Sequence, residues 1–205
     1  MNQIVEKTFS SAIAEHLSVV QSLYSQCATL RAIADCMTHA LCNGNKVLWC
    51  GNGGSAADAQ HLAAELVGRF RCERRGMASM ALTTDTSILT AVANDYGYDT
   101  IFARQVEAIG SPHDVLVGIS TSGNSPNVIR AIEIARRMGL WTVVLTGKNG
   151  GDIARIAHHV LAVRSSDTAR VQEAHILAGH MLCDWIEKHD QAGICTPATM
   201  VSEEC

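Results

Sequence analysis

The sequence predicts an α/β fold: an open, doubly wound parallel sheet of five strands with helices on both faces, preceded by two further helices. Three observations predict it. Short runs that are apolar at nearly every position alternate with segments of helical period, as strands buried on both faces require. Two of those runs break directly into glycine- or serine-rich loops that open helices, which is the strand–loop–helix phrase of a parallel sheet. The 205 residues, 47% hydrophobic and 18% charged, carry enough apolar surface for one core and too much for a disordered chain.

The elements follow in order. Ile13, Leu17, Val20, Leu23 and Tyr24, then Leu30, Ile33, Met37 and Leu41, recur at spacings of three and four, so residues 1–43 read as two amphipathic helices. Asn43-Gly44-Asn45 stops the second, and Lys46–Cys50 is the first strand. It runs into Gly51-Asn52-Gly53-Gly54-Ser55 and a helix over Ala56–Phe70. Ala78–Leu82 is the second strand, and the helix after it carries Ala91–Asp95 toward the same rim. Asp114–Ile119 leads into Ser120-Thr121-Ser122-Gly123-Asn124-Ser125 and a helix over Pro126–Met138; Trp141–Leu145 and His159–Val163 complete the sheet. A long helix over Thr168–Lys188 buries Val171, His175, Leu177, Met181, Leu182 and Ile186. The domain reading is therefore N-terminal helices over 1–43, the α/β domain over 44–189, and a flexible tail over 190–205.

Composition narrows the function. Sixteen basic against twenty acidic residues give a net charge of −4, which lacks the basic footprint of nucleic-acid or anionic-membrane binding. No apolar run approaches the ~20 residues of a membrane span, and MNQIVEKTFSS is not a signal sequence; the expectation is a cytoplasmic protein. Eight cysteines without a C-x-x-C pair, scattered among apolar segments, read as reduced and mostly buried thiols.

In an open parallel sheet the ligand lies beyond the carboxyl ends of the strands, where both loops stand. Ser120, Thr121, Ser122 and Ser125 surround a glycine at a helix start. Hydroxyls and helix N–H groups make a cradle for a phosphate monoester, although the same composition also serves a plain capping turn. The loop is neither a Walker loop nor a G-x-G-x-x-G turn, so a nucleoside triphosphate is a poor fit. The three glycines of 51–54 allow positive φ and close approach, by a substrate or by tight packing. His61 and Glu65 sit four apart on one helix face, about 6 Å between their Cβ atoms. Gln172 and His180 sit eight apart on another. Together the four could hold a divalent metal such as zinc; singly, each reads equally as a surface pair or a packed histidine.

The stretches GNGGSAADAQHLAAELVGRF, TTDTSILTAVANDYGYD, GISTSGNSPNVIRAI, LTGKNGG and RVQEAHILAGH follow one another in this order, and the sequence over roughly residues 5 to 188 resembles the bacterial phosphoheptose isomerases of the sugar isomerase (SIS) superfamily. The resemblance implies a flavodoxin-like SIS fold and interconversion of D-sedoheptulose 7-phosphate and D-glycero-D-manno-heptose 7-phosphate through an enediol. That reaction is the first step toward the nucleotide-activated heptose of lipopolysaccharide and some capsules. It implies that Asn52, Gly53, Gly54, Ser55, Asn94 and Asp95 contact the sugar and that Ser120, Thr121, Ser122 and Ser125 hold its phosphate. It also implies one zinc ion per subunit on His61, Glu65, Gln172 and His180, with Glu65 and His180 as the acid/base pair and Glu65 and Gln172 also contacting substrate. Arg69 and Asp167 match positions near the site. A homotetramer built on the N-terminal helices, with sites near subunit interfaces, is implied too. Two other readings are an isomerase of a different sugar phosphate and the SIS-type binding protein of the replication initiator, whose members lack the acid/base pair.

Overall fold

The computed structural model describes residues 2–192, and side chains from residue 7. Helices α1 (Asn2–Ser22) and α2 (Cys27–Cys42) precede strand β1 (Val47–Gly51), helix α3 (Gly54–Val67) and strand β2 (Ser79–Ala81). Helices α4 (Thr86–Tyr96) and α5 (Ile101–Ile109) lead to β3 (Val115–Ser120), α6 (Pro126–Arg137), β4 (Trp141–Thr146), β5 (His159–Ala162) and α7 (Thr168–Gln191). All five strands are parallel in the order β2-β1-β3-β4-β5. The chain winds outward from β1 to β2, then returns past β1 to start β3. That reversal leaves a crevice between the carboxyl ends of β1 and β3, where an open sheet takes its ligand.

Both faces of the sheet are covered at its centre, which is why β1, β3 and β4 are almost wholly buried and mostly apolar. Val47, Trp49, Val115, Val117, Val143 and Leu145 pack with α2, α3 and α7. Leu48, Cys50, Leu116 and Val144 pack on the other side with α5 and α6. The buried Trp49 indole donates to Ser79 Oγ at 2.9 Å, so that large ring enters the core without an unsatisfied polar atom.

The position of α7 against α3 sets the site. Gly179 lets the two helices close: a Cβ at that position would overlap the Leu62 side chain. Helix α1 lies on α7 through Arg170, which donates to the Ala12 carbonyl at 2.5 Å and to Glu173 Oε1 at 2.7 Å, while Glu173 Oε2 meets His16 Nδ1 at 2.8 Å.

Three expectations need correction. Met181 is 40% exposed, because the seven residues of a 3.6-residue helix between His175 and Cys183 cannot all face one sheet. Helix α7 continues through Gln191, past the expected end at Lys188 and into the segment assigned to the tail; the rest of that assignment lies outside the described residues. Cys27, Cys36, Cys50, Cys72 and Cys183 are free thiols as expected, but only Cys50 and Cys183 are buried rather than most of them, and Cys42 is disulfide-bonded. Bridging depends on which sulfurs the fold brings together, which spacing along the chain does not reveal.

Candidate active site

Three side chains from two helices converge where α3 packs on α7. His61 and Glu65 are one turn apart on α3, with His61 Nε2 3.2 Å from Glu65 Oε1. From α7, His180 brings its Nε2 to 2.9 Å from the Nε2 of His61. One ligating atom from each of the three lies within 4.8 Å of the others. Two imidazole nitrogens facing one another at hydrogen-bond distance need either a shared proton or a common cation between them. Two neutral nitrogens and a carboxylate oxygen form a donor set that suits zinc. Among the described residues no other such cluster of histidine, cysteine, aspartate and glutamate occurs.

Gln172 rests against the first glycine loop. A Cβ on Gly54 would lie 2.5 Å from Gln172 Nε2, so the absence of a side chain there lets the amide rest on the loop. Gly53 takes φ 55° and ψ −121°, the left-handed backbone that turns β1 into α3. Ser55 is buried at the start of α3.

Asn52 faces the second loop. Its amide exchanges two hydrogen bonds of 2.9 Å with the amide of the buried Asn127 on α6, and it accepts a third from Tyr98 Oη at 3.2 Å. The first loop is thereby tied to the first turn of α6, directly after the second loop. In the second loop Ser120 is buried and lies 2.9 Å from Ser125, Oγ to Oγ, and accepts the Gly123 amide at 3.2 Å. Ser122 is exposed and receives the Asn124 amide at 3.2 Å. Thr121 is half-buried, its carbonyl accepting the Gly147 amide at 3.0 Å. The loop is braced from within.

The remaining candidates stand apart from this cluster. Asn94 donates to Asp95 at 2.8 Å, and both are exposed at the end of α4. Arg69 pairs with Glu73 at 3.8 Å on the surface. Asp167 caps α7, accepting the amides of Ala169 and Arg170 at 2.8 and 3.1 Å.

Several contributors were not legible beforehand. Asn127 carries no motif beyond following Ser125-Pro126. Asp58, one turn before His61, has a buried Oδ2 without a hydrogen-bond partner among the described residues; burial pushes its carboxyl up to about 6, against a pull from His61. Phe70 stacks on the His180 ring, centroids 5.5 Å apart and planes 24° off parallel. Only an aromatic at the end of the GNGGS…GRF stretch pointed to it.

A family model described as the SIS domain matches residues 8–147. The chain is 54% identical over 188 residues to the phosphoheptose isomerase of Aquifex aeolicus, covering 92% of this chain and 97% of that one. It is 53% identical over 173 residues to the phosphoheptose isomerase of Akkermansia muciniphila, covering 84% and 92% respectively. Among solved structures, the phosphoheptose isomerase of Neisseria gonorrhoeae superposes with a TM-score of 0.85 at 45% identity over 90% of this chain and 99% of that one.

Proposed function

Because the chain belongs to the phosphoheptose isomerases, a family with the SIS fold, we propose that it interconverts D-sedoheptulose 7-phosphate and D-glycero-D-manno-heptose 7-phosphate. The observation that carries the reading is the convergence of His61 and Glu65 from α3 with His180 from α7. The initiator-binding alternative, which expects no acid/base pair, gains nothing from this arrangement.

The reaction moves one hydrogen between C1 and C2 while the carbonyl and hydroxyl trade places. Glu65 takes a proton from C1 of the ketose, leaving a cis-enediol, and returns a proton to C2. His180 handles the proton that leaves the C1 oxygen side and the one that arrives at the C2 oxygen. Asn52, Gly53, Gly54 and Ser55 line the sugar, with Asn94 and Asp95 as further contacts on α4. Ser120, Thr121, Ser122 and Ser125, with the first amides of α6, hold the 7-phosphate; the internal bracing of Ser120 supports that loop in one shape before substrate arrives. His61, Glu65, Gln172 and His180 would hold one zinc ion per subunit, which when bound supplies Lewis-acid stabilisation of negative charge on the two oxygens.

The assembly is proposed to be a homotetramer. Phe9, Ile13 and Leu17 on α1 and Tyr24 just after it are 53 to 82% exposed, an apolar stripe that α7 does not cover and that a second copy would. The product would supply heptose for lipopolysaccharide or capsule. A cytoplasmic location accords with a phosphorylated sugar as substrate; among the described residues no helix is long and apolar enough to cross a membrane.

Incubation with sedoheptulose 7-phosphate in D2O, followed by NMR, tests the reading. A new aldoheptose 7-phosphate is expected, with deuterium at C2 to the extent that the abstracted proton exchanges. Glu65→Gln should fold, because Glu65 is a partly exposed surface group, and abolish turnover. Normal turnover in that variant would refute the assignment of the base.

A further inference from the structure

Residues 68–78 join α3 to β2 without regular structure, yet three consecutive amides of this segment converge on one carboxylate. Phe70 N donates to Glu187 Oε1 at 3.1 Å, and Arg71 N and Cys72 N donate to Oε2 at 2.9 and 3.0 Å. Arg74 Nε lies 3.3 Å from Glu187 Oε1, and both side chains are only 3% exposed. Burial alone would raise the Glu187 carboxyl, but the three amides and the guanidinium outweigh it and hold the group below its ordinary range.

The same guanidinium continues to α3. Arg74 Nη2 donates to the Glu65 carbonyl at 2.8 Å, and Nη1 to the Leu66 carbonyl at 2.9 Å. The pair therefore connects the last turn of α3, at the backbone of Glu65, with α7 two turns beyond His180. A buried ion pair is a costly way to gain stability, and apolar side chains of equal volume would often do as well. What it supplies is register: three successive N–H groups can meet one carboxylate in a single loop conformation.

That conformation lays Phe70 against His180. The ring stack is reinforced by the Arg71 guanidinium, 5.1 Å from the Phe70 centroid, which is itself held by Asp184 at 3.5 Å. With its plane set by Phe70, the imidazole directs Nε2 at His61 and the site rather than along α7.

We propose that Phe70 is a positioning residue for His180, and that the buried Arg74–Glu187 pair holds the 68–75 strap that presents it. The proposal rests on the reading of His180 as an acid/base group of the isomerase.

Phe70→Leu and Phe70→Tyr test it. Both keep an apolar body at a half-buried position, so both should fold with near wild-type Tm. In the Leu variant kcat should drop about ten-fold or more, the scale of lost groups that orient an active side chain, with KM for sedoheptulose 7-phosphate unchanged. The Tyr variant should restore kcat. In metal-free protein with 13C-labelled histidine, the ring-current shift of the His180 signals should be present in wild type and Phe70→Tyr and absent in Phe70→Leu. Glu187→Gln should reproduce the kcat loss and the spectral change if it folds. A wild-type kcat in Phe70→Leu, or a loss that Phe70→Tyr does not restore, would overturn the proposal. Failure of the wild-type protein to turn over sedoheptulose 7-phosphate would instead strike the isomerase reading, while the labelled-histidine spectra would still report whether Phe70 holds the ring.

Discussion

At the scale of single residues, His175 shows how a buried polar side chain ties α7 to the end of β4. It is fully buried on α7, with Nε2 3.1 Å from the Thr146 carbonyl at the end of β4 and Nδ1 without a partner among the described residues. A carbonyl accepts only, so Nε2 carries the hydrogen, and a second proton on the buried, unpartnered Nδ1 would place an uncompensated charge in the core. Burial pushes its pKa from 6.5 down to about 4, against the pull of the Thr146 bond. The folded state thus resists a proton that the unfolded chain accepts, and stability falls as pH drops from 6.5 toward 4. The loss from this one group is about 3 kcal/mol over that window. His175→Gln keeps a donor for Thr146 without the titration. Its Tm should vary less than that of wild type between pH 6.5 and 4, read by thermal melts; parallel curves would mean that His175 does not govern the acid limb.

Between elements, the decisive contacts are close approaches of α3 and α7. Gly179 admits Leu62, and Gly54 admits Gln172, so two missing side chains let α7 close on α3, where His61, Glu65 and His180 meet. Gly54→Ala probes this directly. The added Cβ would meet the mobile end of Gln172 rather than backbone, and alanine favours the helix it starts. The fold should therefore survive with an unchanged Tm. The displaced amide should cost about ten-fold or more in zinc affinity and in kcat, measured by chelator competition and by isomerase assay. Unaltered zinc affinity would remove Gln172 from the ligand set.

For the whole molecule, the outward stripe of α1 is the feature that a single chain leaves unexplained. Ile13→Glu with Leu17→Glu places charge on side chains already 61 and 53% exposed, so each protomer should keep its fold. Light scattering should then show fewer than four chains per particle, and a monomeric wild-type protein would count against the tetramer. Much of the architecture was legible because burial on both faces writes itself into a chain as unbroken apolar runs, and Lys46–Cys50, Asp114–Ile119 and Trp141–Leu145 became β1, β3 and β4 within a residue or two. The pairing of His61 with Glu65 was legible for the same kind of reason, a fixed helical spacing. Phe70, Arg74, Asn127 and Glu187 were not, since their partners lie up to 117 residues away and no local period marks such contacts. The linear sequence determined the strands, the two loops and the resemblance that named their chemistry. Only the tertiary structure decided that β1 and β3 would lie side by side, that α7 would cross α3 at a glycine, and that an irregular strap would lie over His180, because these depend on which surfaces meet when the chain is closed.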